Sequence, residues 1–419
     1  MSTALDRLNP FKTPDARRLA LLFAIVYFSQ GMWYLPNQTV KAVLNDHKFS
    51  AGQIGTFFIV VTMAWNVKPI YGLISDFLPL FGRRRKSYFL LTTSLAATTG
   101  IALGLIGTPP FWWLAVLMGT MGLGLAFTDV LTDALMVENG KPRGLTGAFQ
   151  SVQWAAGSIA TVFVGVAGGY LAHHRDLNSA FLLAASFPLI SLAMAVIFIR
   201  DAPVRSDREA FRQTWAAIRS AARQRDVWMV AGFIFFWTFS PSFGAALFSY
   251  QTNVLKFPQD RIGMLDSIQA ATGILGAAIY APLSRRLTLK TLIGWAIGIG
   301  SLATLTFLLY RDFPSAVVIH GTFGCFGMVA LLAFLDLAAR ACPPRVEATF
   351  FALLMSVYNT GTSISDAAGG YLYDWAGYDR LVVIAAGFTA LAWFLVPLVK
   401  IDRIEAKARA EAEELAGSV

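Results

Sequence analysis

The sequence predicts an all-α integral membrane protein whose twelve transmembrane helices form two pseudo-symmetric bundles of six. Three observations lead to this fold class: the composition, the number of long apolar runs, and an internal repeat. Of the 419 residues, 56% are hydrophobic and only 14% are charged, whereas a soluble chain typically carries about 25% charged residues. A water-soluble globule could not cover this much apolar surface, so lipid is expected to be the solvent.

Twelve segments are apolar and long enough to cross a bilayer, which takes about 20 residues of α-helix. Six of them precede the polar stretch 201–226 and six follow it. The predicted spans are 18–40, 51–75, 87–107, 111–137, 145–172, 179–199, 227–254, 262–284, 289–310, 314–339, 347–373 and 380–400.

The second half of the chain repeats features of the first half. KFSAGQIG at 48–55 resembles KFPQDRIG at 256–263, and GGYL at 168–171 recurs at 369–372. These matches lie 208 and 201 residues apart, so each copy is half of the chain and holds six spans. Parallel six-span repeats, related by an axis along the membrane normal, are the architecture of the major facilitator superfamily.

The repeat divides the chain into four predicted parts. Two of them are the six-helix bundles, and the polar stretch between them is expected to form an amphipathic helix on the membrane surface. The parts are the N-terminal bundle 1–200, the cytoplasmic linker 201–226, the C-terminal bundle 227–400 and the cytoplasmic tail 401–419.

The basic residues predict the orientation, because cytoplasmic loops are enriched in Lys and Arg. With both termini in the cytoplasm, 26 of the 34 basic residues lie in cytoplasmic segments, 7 lie in outer loops, and Lys68 lies within a span. The net charge of +9 is therefore a topology signal and does not indicate a nucleic-acid partner. The predicted location is the cytoplasmic membrane.

Several function classes are excluded by the residues that the sequence lacks. The two cysteines, Cys325 and Cys342, cannot form a disulfide framework. The four histidines form no ligand cluster, so neither a metal site nor a cofactor is expected. No glycine-rich phosphate loop of the P-loop type is present, and no other enzyme signature stands out, so ion gradients are the expected energy source.

One stretch of the first half resembles a known family. GLISDFLPLFGRRRK at 72–86 resembles the loop motif of the major facilitator superfamily, although the insert between Asp76 and Gly82 is longer than usual. With WNVKPIYG at 65–72, the stretch resembles the folate–biopterin transporter family, and DVLTDALMVE at 129–138 and 338–361 are also similar to that family. The resemblance implies a secondary transporter that moves a pterin- or folate-like organic anion by alternating access. We expect proton symport from the charges inside the spans.

Three ionisable residues inside the spans are candidates for that mechanism, because a charge there costs at least about 2.5–3.5 kcal/mol and faces a partner or a wet cavity. Asp129 and Asp133 are four residues apart and share one helix face, and Lys68 is expected beside them, with one of the two carboxylates neutralising it. Lys68 is a predicted substrate ligand and the aspartates are predicted proton carriers. A fixed ion pair that only holds the bundle together is the alternative.

The remaining charged residues divide into two groups. Asp366 stands in the small, polar stretch NTGTSISDAAGG and is a third candidate for proton coupling. The others are predicted to brace the gate or to have a structural role, because they lie at cytoplasmic helix ends or can pair within one turn: Asp76, Arg83, Arg84, Arg85, Asp336 and Arg340.

Polar aromatic and amide residues predict the ligand. A flat heteroaromatic ring would stack on Trp or Tyr and form hydrogen bonds with amides, although such residues also occur at membrane interfaces and helix contacts. The expected partners are this small molecule, protons and lipids, with a monomeric chain. The open alternatives are a transporter of a sugar, peptide fragment, siderophore or drug, and a non-transporting receptor. The candidate ligands are Tyr34, Asn37, Gln38, Gln150, Gln153, Trp154, Tyr358 and Asn359.

Overall fold

A computed structural model describes residues 11–107, 109–140, 143, 145–199, 208–241, 243–342 and 347–406. These residues fold mainly into α-helices. In chain order they are α1 Pro14–Gly31, α2 Leu35–Asp46, α3 Ala51–Thr62, α4 Lys68–Phe77, α5 Lys86–Ile106, α6 Phe111–Gly140, α7 Thr146–His173, α8 Leu177–Phe198, α9 Arg208–Ala221, α10 Arg225–Thr238, α11 Gly244–Ser249, α12 Gln259–Arg286, α13 Leu289–Leu305, α14 Phe313–Ala341, α15 Glu347–Ala376 and α16 Tyr378–Val399.

Within the described residues, ten helical segments are long and apolar enough to cross a membrane. The prediction of an all-α, multi-pass membrane protein is thereby confirmed. Two predicted spans are helical but are not among the ten. The span at 227–254 is divided between α10 and α11, and the span at 347–373 lies in α15, which carries the polar run 359–366. The count of twelve spans stays a prediction.

The chain forms two compact units that do not follow the sequence order strictly. Unit 1 comprises 1–42 and 60–208, and unit 2 comprises 43–59 and 209–419. The helix α9 lies in the predicted linker; residues 201–207 of that linker, and 407–419 of the predicted tail, are outside the described residues.

Each unit has its own apolar core. In unit 1 the core includes Phe23, Phe89, Leu131 and Phe149, all fully buried. α5 packs against both α6 and α8, and small residues allow the close approach, since a Cβ at Gly124 would lie 2.9 Å from the backbone nitrogen of Ala96.

The core of unit 2 is built in the same way. Val230, Phe233, Ile293, Phe334 and Leu354 are buried in one cluster, and α12 packs along α14. Without a hydrophobic driving force between helices in lipid, packing of this kind is what holds transmembrane helices together.

Two helices in the first half of the sequence are interrupted by short 3₁₀ segments, and a proline explains each interruption. Proline has no backbone N–H and its ring clashes with the carbonyl four residues earlier. Pro36 and Pro69 therefore disturb the helix near Met32 and Trp65, where the 3₁₀ segments Met32–Tyr34 and Met63–Val67 are found. Mid-helix 3₁₀ segments often mark functional positions.

Candidate functional site

The centre of the candidate site in unit 1 is an ion pair between Lys68 and Asp129. Lys68 begins α4, directly after the second 3₁₀ segment, and its ammonium donates to the carboxylate of Asp129 on α6. The side chains are 20% and 8% exposed respectively, so both charges are largely removed from water. The ammonium also lies 4.6 Å from the centroid of the Trp65 ring, a cation–π contact that adds to the ion pair.

Asp129 has a further partner on α1. When the side-chain amide of Gln30 takes the orientation that satisfies both of its polar atoms, its nitrogen donates to Asp129 at 2.9 Å. A buried carboxylate is stable only when it is paired and hydrogen-bonded, and Asp129 has both a cation and an amide donor.

Asp133, one turn further along α6, has different surroundings. The Tyr27 hydroxyl donates to its carboxylate, and the amide nitrogen of Gln153 lies at 3.5 Å. No Lys or Arg side chain of the described residues forms an ion pair with it. The two aspartates that share a helix face are therefore unequal, because Asp129 has a cation and Asp133 has only neutral donors.

An aromatic wall adjoins the ion pair. The Trp33 and Trp65 ring centroids are 5.7 Å apart, and the Trp33 ring is 5.0 Å from that of Tyr34. The indole nitrogen of Trp33 and the side-chain oxygens of Asn37 and Asn66 are buried without a hydrogen-bond partner in the described residues. Such atoms are rare in native proteins; that of Trp33 belongs to the aromatic wall, and Asn66 directly follows Trp65 in the chain.

Other predicted substrate ligands of unit 1 differ in exposure. Tyr34 is 48% and Trp154 is 56% exposed, Gln150 is exposed, and Asn37 and Gln38 are half-buried. Gln153 is fully buried and belongs to the aspartate cluster.

Three predicted site residues belong to unit 2: Tyr358, Asn359 and Asp366. Tyr358 and Asn359 are half-buried on α15, and the Tyr358 ring is 6.5 Å from that of Trp237. Asp366 accepts from the backbone nitrogen of Ala245 at 3.0 Å, so it caps the start of α11. Its predicted role in proton coupling stays a prediction.

Asp336 and Arg340 form the pair that their spacing predicts. Two guanidinium nitrogens of Arg340 donate to Asp336 at 2.8 and 2.9 Å. The Tyr280 hydroxyl donates to Asp336 at 3.3 Å, and Glu405 lies 3.5 Å from Arg340. The bidentate geometry favours a structural role.

Arg85, in the loop between α4 and α5, is buried and contacts three polar side chains. It is 6% exposed, and its guanidinium contacts Asp76 at 2.6 Å, Glu138 at 2.6 Å and the Ser75 hydroxyl at 2.7 Å. Burial alone would lower the pKa of Arg85, but hydrogen bonding and attraction from Glu138 and Asp76 raise that pKa overall. Arg83 is exposed and Arg84 is half-buried, so the basic run has one buried member.

Replacing Arg85 with alanine is expected to lower the melting temperature of the purified protein by about 5 °C, because its loss leaves two carboxylates without a cation and one kcal/mol shifts Tm by about 2–4 °C in large domains. The matched control is Arg83→Ala, which removes an exposed cation from the same run. A melting temperature that falls equally in both variants would contradict a specific role for Arg85.

The fold is shared with solved membrane transporters. It aligns with a nucleoside transporter at a TM-score of 0.70 and 15% identity, over 91% of this chain and 98% of that one. It aligns with a D-xylose–proton symporter at a TM-score of 0.67 and 14% identity, over 92% and 98% of the two chains. The chain thus shares the fold of multi-pass membrane transporters, and its place in the major facilitator superfamily stays a prediction.

The sequence comparisons identify the family. Residues 30–401 match the BT1 family. The chain is 31% identical to the folate–biopterin transporter of Synechocystis sp., covering 88% of this chain and 78% of the relative. It is 24% identical to the probable folate–biopterin transporter 4 of Arabidopsis thaliana, covering 87% and 89%, and 22% identical to folate transporter 1 of Plasmodium falciparum, covering 89% and 75%. The chain belongs to the BT1 family, a family of membrane transporters and not of enzymes, and the predicted resemblance is confirmed.

Sequence reasoning missed four residues that belong to the site: Tyr27, Gln30, Trp33 and Trp65. Tyr27 and Gln30 lie about one turn apart on α1, but nothing in their sequence context distinguishes them from other polar residues in apolar helices. Trp33 and Trp65 had a usable signal, since they lie three and four residues before a proline that interrupts the helix.

Proposed function

We propose that this chain is a secondary transporter that moves a folate- or pterin-like organic anion across the cytoplasmic membrane by alternating access, coupled to protons. The main support for this proposal is the cluster of charged residues in unit 1. It contains one cation, Lys68, and two carboxylates with different partners, and Trp and Tyr rings lie beside it.

The chemistry of the cluster supports an anionic, ring-containing substrate. The half-exposed Tyr34 ring and the partly buried Trp65 ring suit stacking against a flat heteroaromatic ring, and the fully buried Trp33 ring packs against both. Lys68 supplies the positive charge that an acidic group requires. The names of the relatives from Synechocystis and Plasmodium support the same substrate class.

The charge balance of the cluster supports proton coupling. With Lys68, Asp129 and Asp133 all ionised, the cluster carries one excess negative charge. An anion that enters would favour protonation of one aspartate, because like charges repel strongly in a low dielectric. Substrate and proton would then bind together, which is proton symport. Asp366 is the second candidate for the proton carrier.

The proposed setting follows from the distribution of basic residues. Both termini lie in the cytoplasm, the basic run 83–86 faces the cytoplasm, and the monomeric chain has lipids, protons and the substrate as its partners. In this setting the ion pairs of Arg85 and Arg340 brace cytoplasmic helix ends.

Cells that express the chain are expected to accumulate labelled folate or a labelled pterin above an empty-vector control, with faster uptake when the outside pH is lowered. Competition by unlabelled sugars, peptides and siderophores provides the specificity control. Absence of folate or pterin movement in either direction, together with transport of one of the competitors, would refute the substrate class.

A further inference from the structure

Residues 43–59 pack in unit 2, although the flanking residues on both sides belong to unit 1. This latch segment comprises the end of α2, the following loop and most of α3. One face of α3 is buried, including Ala51, Ile54 and Phe57. The latch segment is therefore a part of the first half of the sequence that is packed as part of the second.

Asp374, in the last turn of α15, holds the start of the latch helix. Its two carboxylate oxygens accept from the backbone nitrogens of Ala51 at 3.2 Å and Gly52 at 2.8 Å. The first N–H groups of a helix have no partner within the helix, and they form its positive end. Asp374 thus caps a helix more than 300 residues away, with charge-assisted hydrogen bonds that are stronger than neutral ones.

The helices approach closely beside this cap. A Cβ at Gly55 would lie 2.6 Å from the Cα of Ala367, so only glycine permits the observed distance. The hydroxyls of Thr56 and Tyr371 are 3.1 Å apart. Close contact through small residues, with hydroxyls bonding across it, is how helices associate in membranes.

The far end of the latch segment is joined by a reciprocal amide pair. The amide nitrogen of Asn45 donates to Asn253 at 3.0 Å, and that of Asn253 donates to Asn45 at 2.8 Å. Asn253 lies in the π-helical segment Tyr250–Val254, a geometry that frequently occurs at functional sites.

The internal repeat indicates that the cap is not a general requirement of the fold. GGYLAHH at 168–174 corresponds to GGYLYDW at 369–375, which places His173 at the position that corresponds to Asp374. Of the two corresponding positions, only that of the second half has a carboxylate, and this residue, Asp374, caps the start of α3.

We propose that Asp374 is a positioning residue for transport, which keeps the latch segment docked in this conformation and releases it in another conformation of the cycle. The inference rests on the proposed function only in requiring two alternating conformations. A group that bonds the latch segment in one conformation alone shifts the equilibrium between the two by its differential interaction energy. The hydrogen bonds of Asp374 and of the Asn45–Asn253 pair can break and re-form, because water can replace each partner.

The test measures thiol reactivity in the purified full-length protein. Asn45→Cys is introduced with Cys325→Ala and Cys342→Ala, and the rate of reaction with a maleimide is recorded. Asp374→Ala is expected to raise that rate about tenfold, the factor that corresponds to the loss of charge-assisted hydrogen bonds. Asp374→Glu, which keeps the carboxylate, is expected to restore most of the protection.

A matched control separates latching from ordinary capping. Asp312 caps α14 by accepting from the Ser315 backbone nitrogen at 2.9 Å, a contact within one helix end. Asp312→Ala is expected to leave the rate at Asn45→Cys unchanged. Equal rates in the parent and in Asp374→Ala would overturn the proposal, as would an equal rise in Asp312→Ala.

Two further measurements keep the proposal testable if the Asp374→Ala variant misfolds. Asp374→Asn keeps the side-chain shape and is expected to raise the rate about threefold, because one charge is lost and an acceptor is kept; an unchanged rate would count against the proposal. Oxidation of Asn45→Cys with Asn253→Cys is expected to arrest substrate exchange until a reductant is added, and undiminished exchange would overturn it. Thiol reactivity needs no substrate, so a failure of folate transport would leave the latch test intact.

Discussion

Replacing Lys68 with alanine is expected to abolish transport, with the initial rate of substrate uptake falling by at least about a hundredfold, because breaking a buried ion pair costs about 3–5 kcal/mol. Asp129 is 6% exposed and would keep a buried charge without its cation. The substrate would also lose the positive charge that balances its acidic group. Initial rates of uptake in proteoliposomes, normalised to the amount of reconstituted protein, measure the effect.

Two companion variants separate binding from stability. Lys68→Arg keeps the cation but not the compact ammonium, and it is expected to retain folding with reduced transport. The double variant Lys68→Ala with Asp129→Asn removes both charges, so it is expected to recover the melting temperature lost in Lys68→Ala without recovering transport. If the double variant transported at the normal rate, the ion pair would only hold the helices together, and Lys68 would not be a substrate ligand.

The position of Lys68 illustrates how much of this site the sequence contains. A cation in an apolar span requires a nearby carboxylate, and helical periodicity places Asp129 and Asp133 on one face, so the cluster itself could be predicted. Periodicity could not decide which carboxylate pairs with Lys68. That choice depends on the 3₁₀ segment Met63–Val67, which sets the rotation of α4 relative to the preceding helix, and on donors from α1 and α7.

The membrane fold could be predicted from the sequence because lipid imposes simple rules of length, hydropathy and charge distribution. Contacts between residues that are distant in the sequence could not be predicted. Asp374 and Ala51 are far apart in sequence, and an aspartate near a helix end has many local uses. Asp366 is a candidate for proton coupling from its sequence, and the structure adds a hydrogen bond from the Ala245 backbone nitrogen that the sequence does not indicate. Every residue except proline has a backbone N–H, so the sequence does not indicate which one donates to Asp366. Such a cap can be identified only from the structure.

Replacing Asp133 with asparagine is expected to separate substrate exchange from proton-driven accumulation. Asp129 has Lys68 as its cation, whereas Asp133 has the Tyr27 hydroxyl and the Gln153 amide. A carboxylate without a cation in a low dielectric is the group that gains most from taking up a proton when an anion binds nearby. Asparagine resembles the protonated acid in shape and charge, so Asp133→Asn would be fixed in the substrate-binding form.

The measurement uses proteoliposomes loaded with unlabelled substrate. Exchange of external labelled substrate for internal substrate at equal pH needs no net proton movement, so Asp133→Asn is expected to exchange within about threefold of the parent rate, since a shape-conserving change costs little when it removes no ion pair. Accumulation driven by an inwardly directed proton gradient is expected to fall to the level seen without a gradient. Tyr27→Phe, which removes one donor from Asp133 and no charge, is expected to shift the pH dependence of accumulation without abolishing it.

Asp129→Asn and Asp366→Asn are the control variants for Asp133→Asn. They separate loss of proton coupling from loss of an ion pair or of a helix cap. Asp129→Asn leaves Lys68 without its carboxylate and is expected to impair both exchange and accumulation. Asp366→Asn weakens the cap of α11 and is expected to reduce both rates together, because a cap acts on the structure of the helix and not on the proton. If Asp133→Asn accumulated substrate with the parent's pH dependence while Asp366→Asn lost accumulation alone, the proton would bind in unit 2. Lys68, Asp129 and Asp133 would then serve to bind the anion and to hold α4 against α6, and the coupling between proton and substrate would have to pass from one unit to the other.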